Sequence, residues 1–260
     1  MLVKENTQQD GYGKNPTTVS LHHHYFVGKI SYFCNMITSE VPFIDIHTHR
    51  DGNYFTFGIH PWWLNHNTNF EKLESLLKDN KIVAIGETGI DRNHKETINL
   101  QLDSFERHIL LSEQYRKPLI IHNVKATADI LRLHKKHQPT QTWIIHGFNG
   151  TSQEVQQLTE RGICLSVGES LFYPNRKITT SISSIPLDQL FLETDVSEKT
   201  IQEIYEKAAE LLNLPVEMLK ERIFANFARL KLTTWKTGET EPDCSSETMA
   251  LRSCDEAMCW

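Results

Sequence analysis

FIDIHTHR, residues 43–50, joins a short apolar run to two histidines, and it decides the fold that the sequence predicts. A run of this length, rich in Ile and Phe, is typical of a strand that is buried on both faces. His47 and His49 stand where the run stops, and residues two apart on a strand point the same way. Two imidazoles in that geometry can hold one metal ion, although HxH alone is a weak signal.

The same arrangement returns along the chain, with a polar residue at the end of each further apolar run. The runs are IVAIGETGID (82–91) with Glu87, PLIIHNVKA (118–126) with His122, TWIIHGFNG (142–150) with His146 and LFLETD (190–195) with Asp195. Chance does not easily place an acid or an imidazole at five separate strand ends. Ligands at the carboxyl ends of parallel strands converge on one rim, where barrel enzymes build their active sites.

Seven strand candidates alternate with segments of helical period. The strand candidates are FIDIH (43–47), FTFGI (55–59), KIVAIGE (81–87), PLIIH (118–122), TWIIH (142–146), ICLSVG (163–168) and LFLET (190–194). In one intervening segment Ile98, Leu102, Phe105 and Ile109 recur at steps of three and four, which places them on one helix face. Strict succession of strands and helices predicts a parallel sheet with right-handed crossovers, and hence an α/β, TIM-barrel-like fold.

Composition and charge limit the class of protein. The chain has 260 residues, 39% of them hydrophobic, which is enough for one substantial core. Its net charge of −6 gives no overall basic field for nucleic acid, so such binding needs a local patch. Five cysteines without a CxxC pair argue against disulfides and a thiolate zinc site. No membrane span or secretory signal is apparent, so we expect a cytoplasmic protein without membrane association.

Four histidines and two carboxylates form a ligand set that suits Mg²⁺, Mn²⁺ or Zn²⁺. A catalytic zinc usually takes three protein ligands, so six candidates predict two divalent ions that share a bridging carboxylate. Two such ions lower the pKa of a bound water and clamp the attacking and leaving oxygens of an ester or phosphodiester. Asp195, at the end of the last strand, is the best candidate for the base that takes a proton from that water. The sequence therefore predicts a metal-dependent hydrolase.

In combination and in order, HTH, GIHPW, GETGID, IIHNVKA, IHGFNGT and ETD resemble the motifs of the TatD-like metal-dependent deoxyribonucleases, a branch of the amidohydrolase superfamily. The resemblance covers residues 43–230 and implies a TIM barrel and 3′–5′ exonuclease-like hydrolysis of DNA, with single-stranded ends as the substrate. It also implies a role for each ligand: His47 and His49 with Asp195 hold the first metal, Glu87 bridges, and His122 and His146 hold the second. Asp195 corresponds to the family's general base.

Residues close to these ligands each fit two interpretations. His60, in GIHPWW, matches a family histidine near the scissile group, which makes it a catalytic candidate beside Asp195 and Glu87; it equally fits a histidine hydrogen-bonded in the turn before proline. Trp62 and Trp63 fit either exposed indoles that stack bases or side chains packed under the next helix. Asp91 can orient a neighbouring group or cap the following turn, and capping is the simpler interpretation.

Phosphate contacts are where the chain departs from the family in chemistry. Members usually carry Arg two residues after the histidine that corresponds to His122, but this chain has Val124 there, with Lys125 next. Lysine supplies a mobile point charge and lacks the bidentate fork of arginine. Arg50 and Arg92 lie near ligands and either compensate or are simply solvated. Hydrolase activity is therefore predicted more firmly than nuclease activity.

Length is the second departure, because only residues 50–54 separate His49 from the strand at Phe55. Five residues are too few for a right-handed crossover, which takes a dozen or more. We therefore expect the second β/α unit to be missing or distorted, with a gapped barrel unless 25–33 fills the space. The predicted organisation is an N-terminal extension with one possible added strand, a hydrolase barrel and a mobile C-terminal tail, over residues 1–42, 43–230 and 231–260.

Two alternatives to DNA hydrolysis remain open. The first is hydrolysis of a small carboxylic or aminoacyl ester by the same two ions. The second is a degenerate barrel without catalysis that serves in binding or as a scaffold, although the presence of all six ligands argues against decay of the site. The sequence does not determine the oligomeric state, and a monomer is consistent with it.

Overall fold

Eight parallel strands form one sheet in the computed structural model, which describes residues 41–50, 52, 54–232 and 248–254. In chain order they are β1 (Phe43–Thr48), β2 (Tyr54–Phe57), β3 (Ala84–Asp91), β4 (Leu119–Val124), β5 (Trp143–Ile145), β6 (Cys164–Val167), β7 (Leu190–Leu192) and β8 (Thr248–Cys254). In space the order is β1-β8-β2-β3-β4-β5-β6-β7. The seven strands predicted from the sequence are all present, and their ends differ from the predicted ends by a few residues.

Helices separate most of the strands and cover the outside of the sheet. They are α1 (Glu71–Lys78), α2 (Ile98–Tyr115), α3 (Thr127–His137), α4 (Ser152–Thr159), α5 (Ile178–Ser181), α6 (Ile201–Leu212) and α7 (Val216–Arg229). Thr151 begins α4 with a capping box, in which its side chain and that of Glu154 satisfy each other's free backbone N–H groups. The segment after β6 adds two short 3₁₀ helices, Glu169–Phe172 and Ile182–Ser184, around α5. The predicted β/α alternation is therefore confirmed.

The sheet closes into a barrel through the end of β1 and the residue that follows β7. The amide of Asp195 donates to the carbonyl of His47 at 2.9 Å, and the amide of His49 donates to the carbonyl of Asp195 at 3.2 Å. Thr48 and Asp195 form a parallel bridge there. Because all the strands are parallel, their carboxyl ends meet at one rim, as the barrel prediction requires.

The strand between β1 and β2 is β8, which comes from the C-terminal region. Phe43, Ile44 and Asp45 pair with it on one side, and Tyr54–Phe57 pair with it on the other. The predicted mobile tail is therefore wrong for Thr248–Cys254, whereas 233–247 and 255–260 lie outside the described residues. Without β8, the facing edges of β1 and β2 would have unpaired backbone N–H and C=O groups. β8 pairs with both edges and buries Met249 and Leu251.

A five-residue link joins β1 to β2 because the two strands are staggered. Thr48 lies opposite Arg252 of β8, while Tyr54 lies opposite Leu251, so β2 begins at the height where β1 ends. The link therefore crosses only two strand spacings, about 10 Å, which five residues span easily. Gly52 makes this close crossing possible, since a Cβ there would lie 2.9 Å from the carbonyl oxygen of Ala250. The offset between β1 and β2 therefore allows a short link to take the place of a helical crossover.

The remaining predictions about organisation concern the ends of the chain. The possible strand at 25–33 lies outside the described residues, and both edges of β2 are taken by β3 and β8. In the described ranges, no helix combines the length and apolar character that crossing a membrane requires. The core fills the barrel and the space under the helices with side chains such as Ile46, Ile120 and Leu165, each 0% exposed.

Candidate metal centre

The carboxyl rim gathers all six predicted ligands. His47 and His122 lie near the ends of their strands, Glu87 lies within β3, His49 and His146 follow strands directly, and Asp195 lies three residues after β7. Three groups of side chains have ligand atoms within 4.8 Å of one another: His47, His49 and Glu87; His47, His146 and Asp195; and His60, Glu87 and His122. The strand-end pattern in the sequence therefore predicted the assembly of this cluster.

Glu87 lies at the centre of the cluster, and its two carboxylate oxygens face different histidines. Oε1 lies 2.5 Å from Nδ1 of His122 and 2.6 Å from Nε2 of His146. Oε2 lies 3.6 Å from Nε2 of His47 and 3.8 Å from Nε2 of His49. One carboxylate thus stands between two imidazole pairs, which is the arrangement expected of a bridging ligand.

Two glycines bring Glu87 this close to β4. A Cβ on Gly86 would lie 2.6 Å from Cβ of Ile120, and one on Gly89 would lie 2.1 Å from the carbonyl oxygen of His122. Their φ angles of 158° and 144° also disfavour any residue with a side chain. The GETG motif therefore allows β3 and β4 to approach until Glu87 and His122 touch.

Asp195 faces His47 and His49, which form the first imidazole pair. Its Oδ1 lies 3.6 Å from Nε2 of His47 and 3.4 Å from Nε2 of His49. Its side chain is 35% exposed, whereas that of Glu87 is 4% exposed. Burial raises the pKa of Asp195, and the carboxylates of Glu193 and Glu87 add to this effect against the opposing imidazoles of His146 and His47. Asp195 is therefore the carboxylate of the cluster best placed to exchange a proton with solvent.

The electrostatics of Glu87 and His146 are set by each other. Burial alone would raise the pKa of Glu87, but the charge of His146 and hydrogen bonds from His122 and His146 hold it well below the usual range. Burial likewise opposes charge on His146, but Glu87 and Glu193 raise its pKa well above the usual value. A buried negative charge surrounded by imidazoles is an environment that a cation can share.

Two further carboxylates stand behind the imidazoles of the second pair. Oδ2 of Asp91 lies 3.5 Å from Nε2 of His122, and Oε1 of Glu193 lies 3.7 Å from Nδ1 of His146. Asp91 also caps its turn, since its Oδ1 accepts a hydrogen bond from the amide of Asn93 at 2.8 Å. Both interpretations of Asp91 therefore hold. Glu193 was not selected from the sequence; an acid within the buried run LFLETD was the available signal.

The imidazole and carboxylate atoms of the cluster are better placed to bind a divalent cation than to hydrogen-bond with one another. Among the described residues, neither ring nitrogen of His47 has a hydrogen-bond partner, and the residue is 0% exposed. Its nearest carboxylate oxygens, on Glu87 and Asp195, are 3.6 Å away, beyond hydrogen-bond distance. A buried imidazole without a partner is costly, and imidazole with carboxylate is a typical zinc or manganese ligand set. The residues present therefore fit a metal centre.

His60 joins the cluster and also shapes the turn that follows β2. Its Nε2 lies 3.1 Å from Oε1 of Glu87, and its Nδ1 accepts a hydrogen bond from the amide of Trp62 at 3.2 Å. The turn interpretation is therefore confirmed, and the catalytic role of His60 stays a prediction. Trp62 and Trp63 are 50% and 49% exposed, so neither is packed under a helix.

A parallel β/α barrel with imidazoles and carboxylates gathered at its carboxyl rim is the architecture of a metal-dependent hydrolase. A family model described as TatD related DNase matches residues 27–231. The chain belongs to this family, and the resemblance found in the sequence is confirmed.

Relatives of known sequence and structure agree with this assignment. YcfH of Escherichia coli K12, named as an uncharacterized metal-dependent hydrolase, is 28% identical over 218 residues, which cover 76% of this chain and 82% of that protein. The crystal structure of YjjV, a TatD homolog from Escherichia coli K12, matches with a TM-score of 0.66 at 22% identity over 72% of this chain and 97% of that one. A TatD family hydrolase from Entamoeba histolytica matches with a TM-score of 0.62 at 18% identity over 77% and 100%. These structures share the barrel fold.

Proposed function

We propose that the protein hydrolyses phosphodiester bonds at the 3′ ends of single-stranded DNA, with two divalent cations. The observation that carries the proposal is the position of Glu87, whose two oxygens face two separate imidazole pairs. A single ion would use one pair, whereas two ions sharing a carboxylate use both. Membership of a family named for DNase activity supports the choice of substrate.

We assign the ligands to the two ions as the family resemblance implies, and the separate contacts of the two Glu87 oxygens support this assignment. His47 and His49 with Asp195 would hold the first ion, and His122 with His146 would hold the second, with Glu87 contributing one oxygen to each. When bound, such ions supply Lewis acidity and lower the pKa of water to near neutrality. Asp91 and Glu193 would orient His122 and His146 from behind, as carboxylates commonly do for metal-bound imidazoles.

Asp195 would act as the general base. Its Oδ1 faces His47 and His49, which leaves Oδ2 to accept the proton of the attacking water. Its exposed fraction of 35% gives water access to this carboxylate. His60 accepts at Nδ1 and so carries its proton on Nε2, beside Oε1 of Glu87; once that oxygen is engaged by an ion, the N–H would be available to an oxygen of the scissile phosphate.

Hydrolysis of a small carboxylic or aminoacyl ester is the second candidate, and the rim arginines favour it. Arg92 is bound to Asp129, with 2.6 Å between Nε and Oδ2, and Arg50 donates to the carbonyl of Ser197. Each guanidinium therefore already uses one of its donors within the protein. An ester substrate of low charge would need no phosphate contact from either arginine.

The deciding experiment combines metal analysis with a substrate screen. The protein is reconstituted with Mn²⁺, Mg²⁺ or Zn²⁺, its bound metal is counted, and release of nucleotides from 5′-labelled single-stranded DNA is followed beside ester turnover. We expect about two equivalents of metal, and a loss of roughly 10²- to 10⁴-fold in rate for Asp195→Asn. Asp103→Asn, an exposed aspartate on α2, is the matched control and should leave the rate unchanged.

Each outcome of that screen discriminates between candidates. Ester turnover without release of nucleotides would replace the DNA proposal with the ester candidate. Fewer than one equivalent of metal after reconstitution would reject both and leave the degenerate barrel. A rate that is unaffected by Asp195→Asn would remove this residue from the role of base.

A further inference from the structure

Trp62 lies at the mouth of the metal centre, in contact with two of its histidines. Its ring centroid is 4.9 Å from that of His60 and 5.8 Å from that of His122, in edge-to-face geometry with both. Half of its surface is nevertheless exposed. A large aromatic ring is therefore presented to solvent directly beside side chains of the candidate site.

The orientation of this ring is fixed by a buried carboxylate. The indole N–H of Trp62 donates to Oδ2 of Asp91 at 2.7 Å, and Asp91 is 2% exposed. The backbone amide of Trp62 is held in turn by Nδ1 of His60. The polar edge of the indole is thus used inside the protein, and the ring of His94 lies 5.5 Å from the indole at an interplanar angle of 38°. The exposed part of the indole is apolar.

Trp63, the next residue, is equally exposed but differently placed. Within the part of the chain that the structure describes, ring contacts to His60 and His122 are made by Trp62 and not by Trp63. The two tryptophans therefore differ in their contact with the site and not in their solvent exposure. Trp63 is a natural control for any effect that exposed indole alone would produce.

We propose that Trp62 is the platform on which the base of the 3′-terminal nucleotide stacks while its phosphodiester is at the metal centre. This rests on the proposed function, because it assumes a nucleic-acid substrate. Every base has a π-face, and stacking on an aromatic side chain is worth about 5- to 150-fold in affinity per base. A platform held rigidly before binding loses little entropy when the base arrives. Stacking would favour any base over none without selecting a sequence.

Trp62 thereby becomes a specificity residue that distinguishes a nucleotide from a bare phosphodiester or a small ester. Asp91 is its positioning residue, since it fixes the ring and does not touch the base. Oδ2 of Asp91, which binds the indole N–H, also lies 3.5 Å from Nε2 of His122. Trp62, in the 3₁₀ helix Pro61–Trp63, is therefore positioned by a carboxylate that lies next to a candidate ligand.

The test compares two single-stranded oligonucleotides that differ only in their 3′-terminal position, one with a base and one abasic. Their binding to metal-loaded Asp195→Asn protein is measured by anisotropy of a 5′ label, and their cleavage by protein with Asp195 intact. In both backgrounds Trp62 is left unchanged or replaced by Leu or Phe, and Trp63→Leu is the control. We expect Trp62 to favour the base-containing strand by about 5- to 150-fold, Trp62→Leu to abolish this preference, and Trp62→Phe to keep most of it. Trp63→Leu should keep all of it.

The outcomes separate this proposal from the one on which it rests. Base-dependent binding without cleavage would support the platform and overturn the proposed DNA hydrolysis. Cleavage of both strands at the same rate by the unchanged enzyme, or no binding of either, would overturn the platform. A Trp62→Leu variant that weakens binding of both strands equally would show a structural role and would also overturn it.

Discussion

The arc from β3 to β7 and the junction of β1, β8 and β2 form one barrel by different means. In the arc, each strand pairs with the next strand of the chain, and a helix or a short connection lies between them. In the junction, the middle strand comes from the far end of the described chain. Thr56 of β2 donates to the carbonyl of Arg252 in β8, across 196 residues of sequence.

Both regions nevertheless deliver ligands to the same rim. Of the six candidate ligands, the junction supplies His47 and His49, and the arc and its closing segment supply Glu87, His122, His146 and Asp195. Most of these side chains lie at or just after a strand end, whereas Glu87 lies within β3 and Asp195 lies three residues after β7. The strand that fills the gap in the wall carries no candidate ligand. His47, His49 and Asp195, in contrast, belong both to the candidate site and to the backbone contacts that close the barrel.

Removing β8 is the strongest way to break the junction while leaving the arc intact. For a chain that ends at Leu232, we expect loss of the cooperative unfolding transition, because β1 and β2 lose their shared neighbour together with the buried Met249 and Leu251. Truncating one such side chain typically costs about 2–5 kcal/mol, against a total stability of about 5–15 kcal/mol. Thermal unfolding followed by circular dichroism measures the effect against the full chain.

A matched pair of leucines isolates β8 from the rest of the removed segment. Leu251 in β8 and Leu165 in β6 are both 0% exposed. Leu251→Ala and Leu165→Ala should therefore destabilise the protein by similar amounts if the junction is packed as firmly as the arc. A loss below about 0.5 kcal/mol for Leu251→Ala would be typical of a surface position and would contradict the place of β8 in the wall.

The arc could be predicted from the sequence because its signals are local. Runs such as PLIIH (118–122) announce a buried strand, and the polar residue at each end announces the rim. That His47, Glu87 and His146 would meet followed from parallel strands alone. Their roles as ligands, and that of Asp195 as base, remain predictions that the proposed experiments test.

The junction could not be predicted because its signal is weak and distant. In TMALRSC (248–254) only Met249 and Leu251 alternate as large apolar residues, within a region that is otherwise polar. What makes it a strand is the gap between β1 and β2, which is a property of the folded barrel. Glu193 was missed for a related reason, since its contact with His146 depends on how β7 and β5 are placed in space.

His108 links the arc to the junction by hydrogen bonds of its ring, and the pH dependence of stability tests this link. On α2, its Nδ1 donates to the carbonyl of Ser104 at 2.7 Å and its Nε2 accepts from the amide of Ile59 at 3.1 Å. Burial lowers its pKa to about 4. Because the unfolded chain takes up a proton near pH 6.5 and the folded protein does not, this contribution is complete above that pH and is lost as the pH falls towards 4. We expect His108 to account for about 3 kcal/mol of that loss.

Denaturant unfolding of the metal-free protein between pH 7 and pH 4 measures this effect. Other groups titrate in the same range, so the quantity of interest is the difference in slope between the parent and His108→Gln. The variant should have a flatter dependence of unfolding free energy on pH. His66→Gln, an exposed histidine, is the control and should keep the parent slope. Equal slopes for all three proteins would show that His108 is not buried neutral.

The smallest expected effect compares one cation from each region. Lys125 follows β4 in the arc and is exposed, and its Nζ lies 2.8 Å from Oδ1 of Asn93. Arg50 lies in the link of the junction, and its guanidinium donates to the carbonyl of Ser197.

Either substitution by Ala removes one positive charge, so a general field effect would change both alike. We expect Lys125→Ala to raise KM for single-stranded DNA about two- to fivefold, and Arg50→Ala to raise it less, because exposed contacts are worth about 0.2–1 kcal/mol and one donor of Arg50 is already bound to Ser197. The Lys125 effect should shrink as salt is raised from 50 to 300 mM, since screening weakens an exposed phosphate contact. Equal changes in the two variants would assign binding to net charge and would remove Lys125 as a specific phosphate contact.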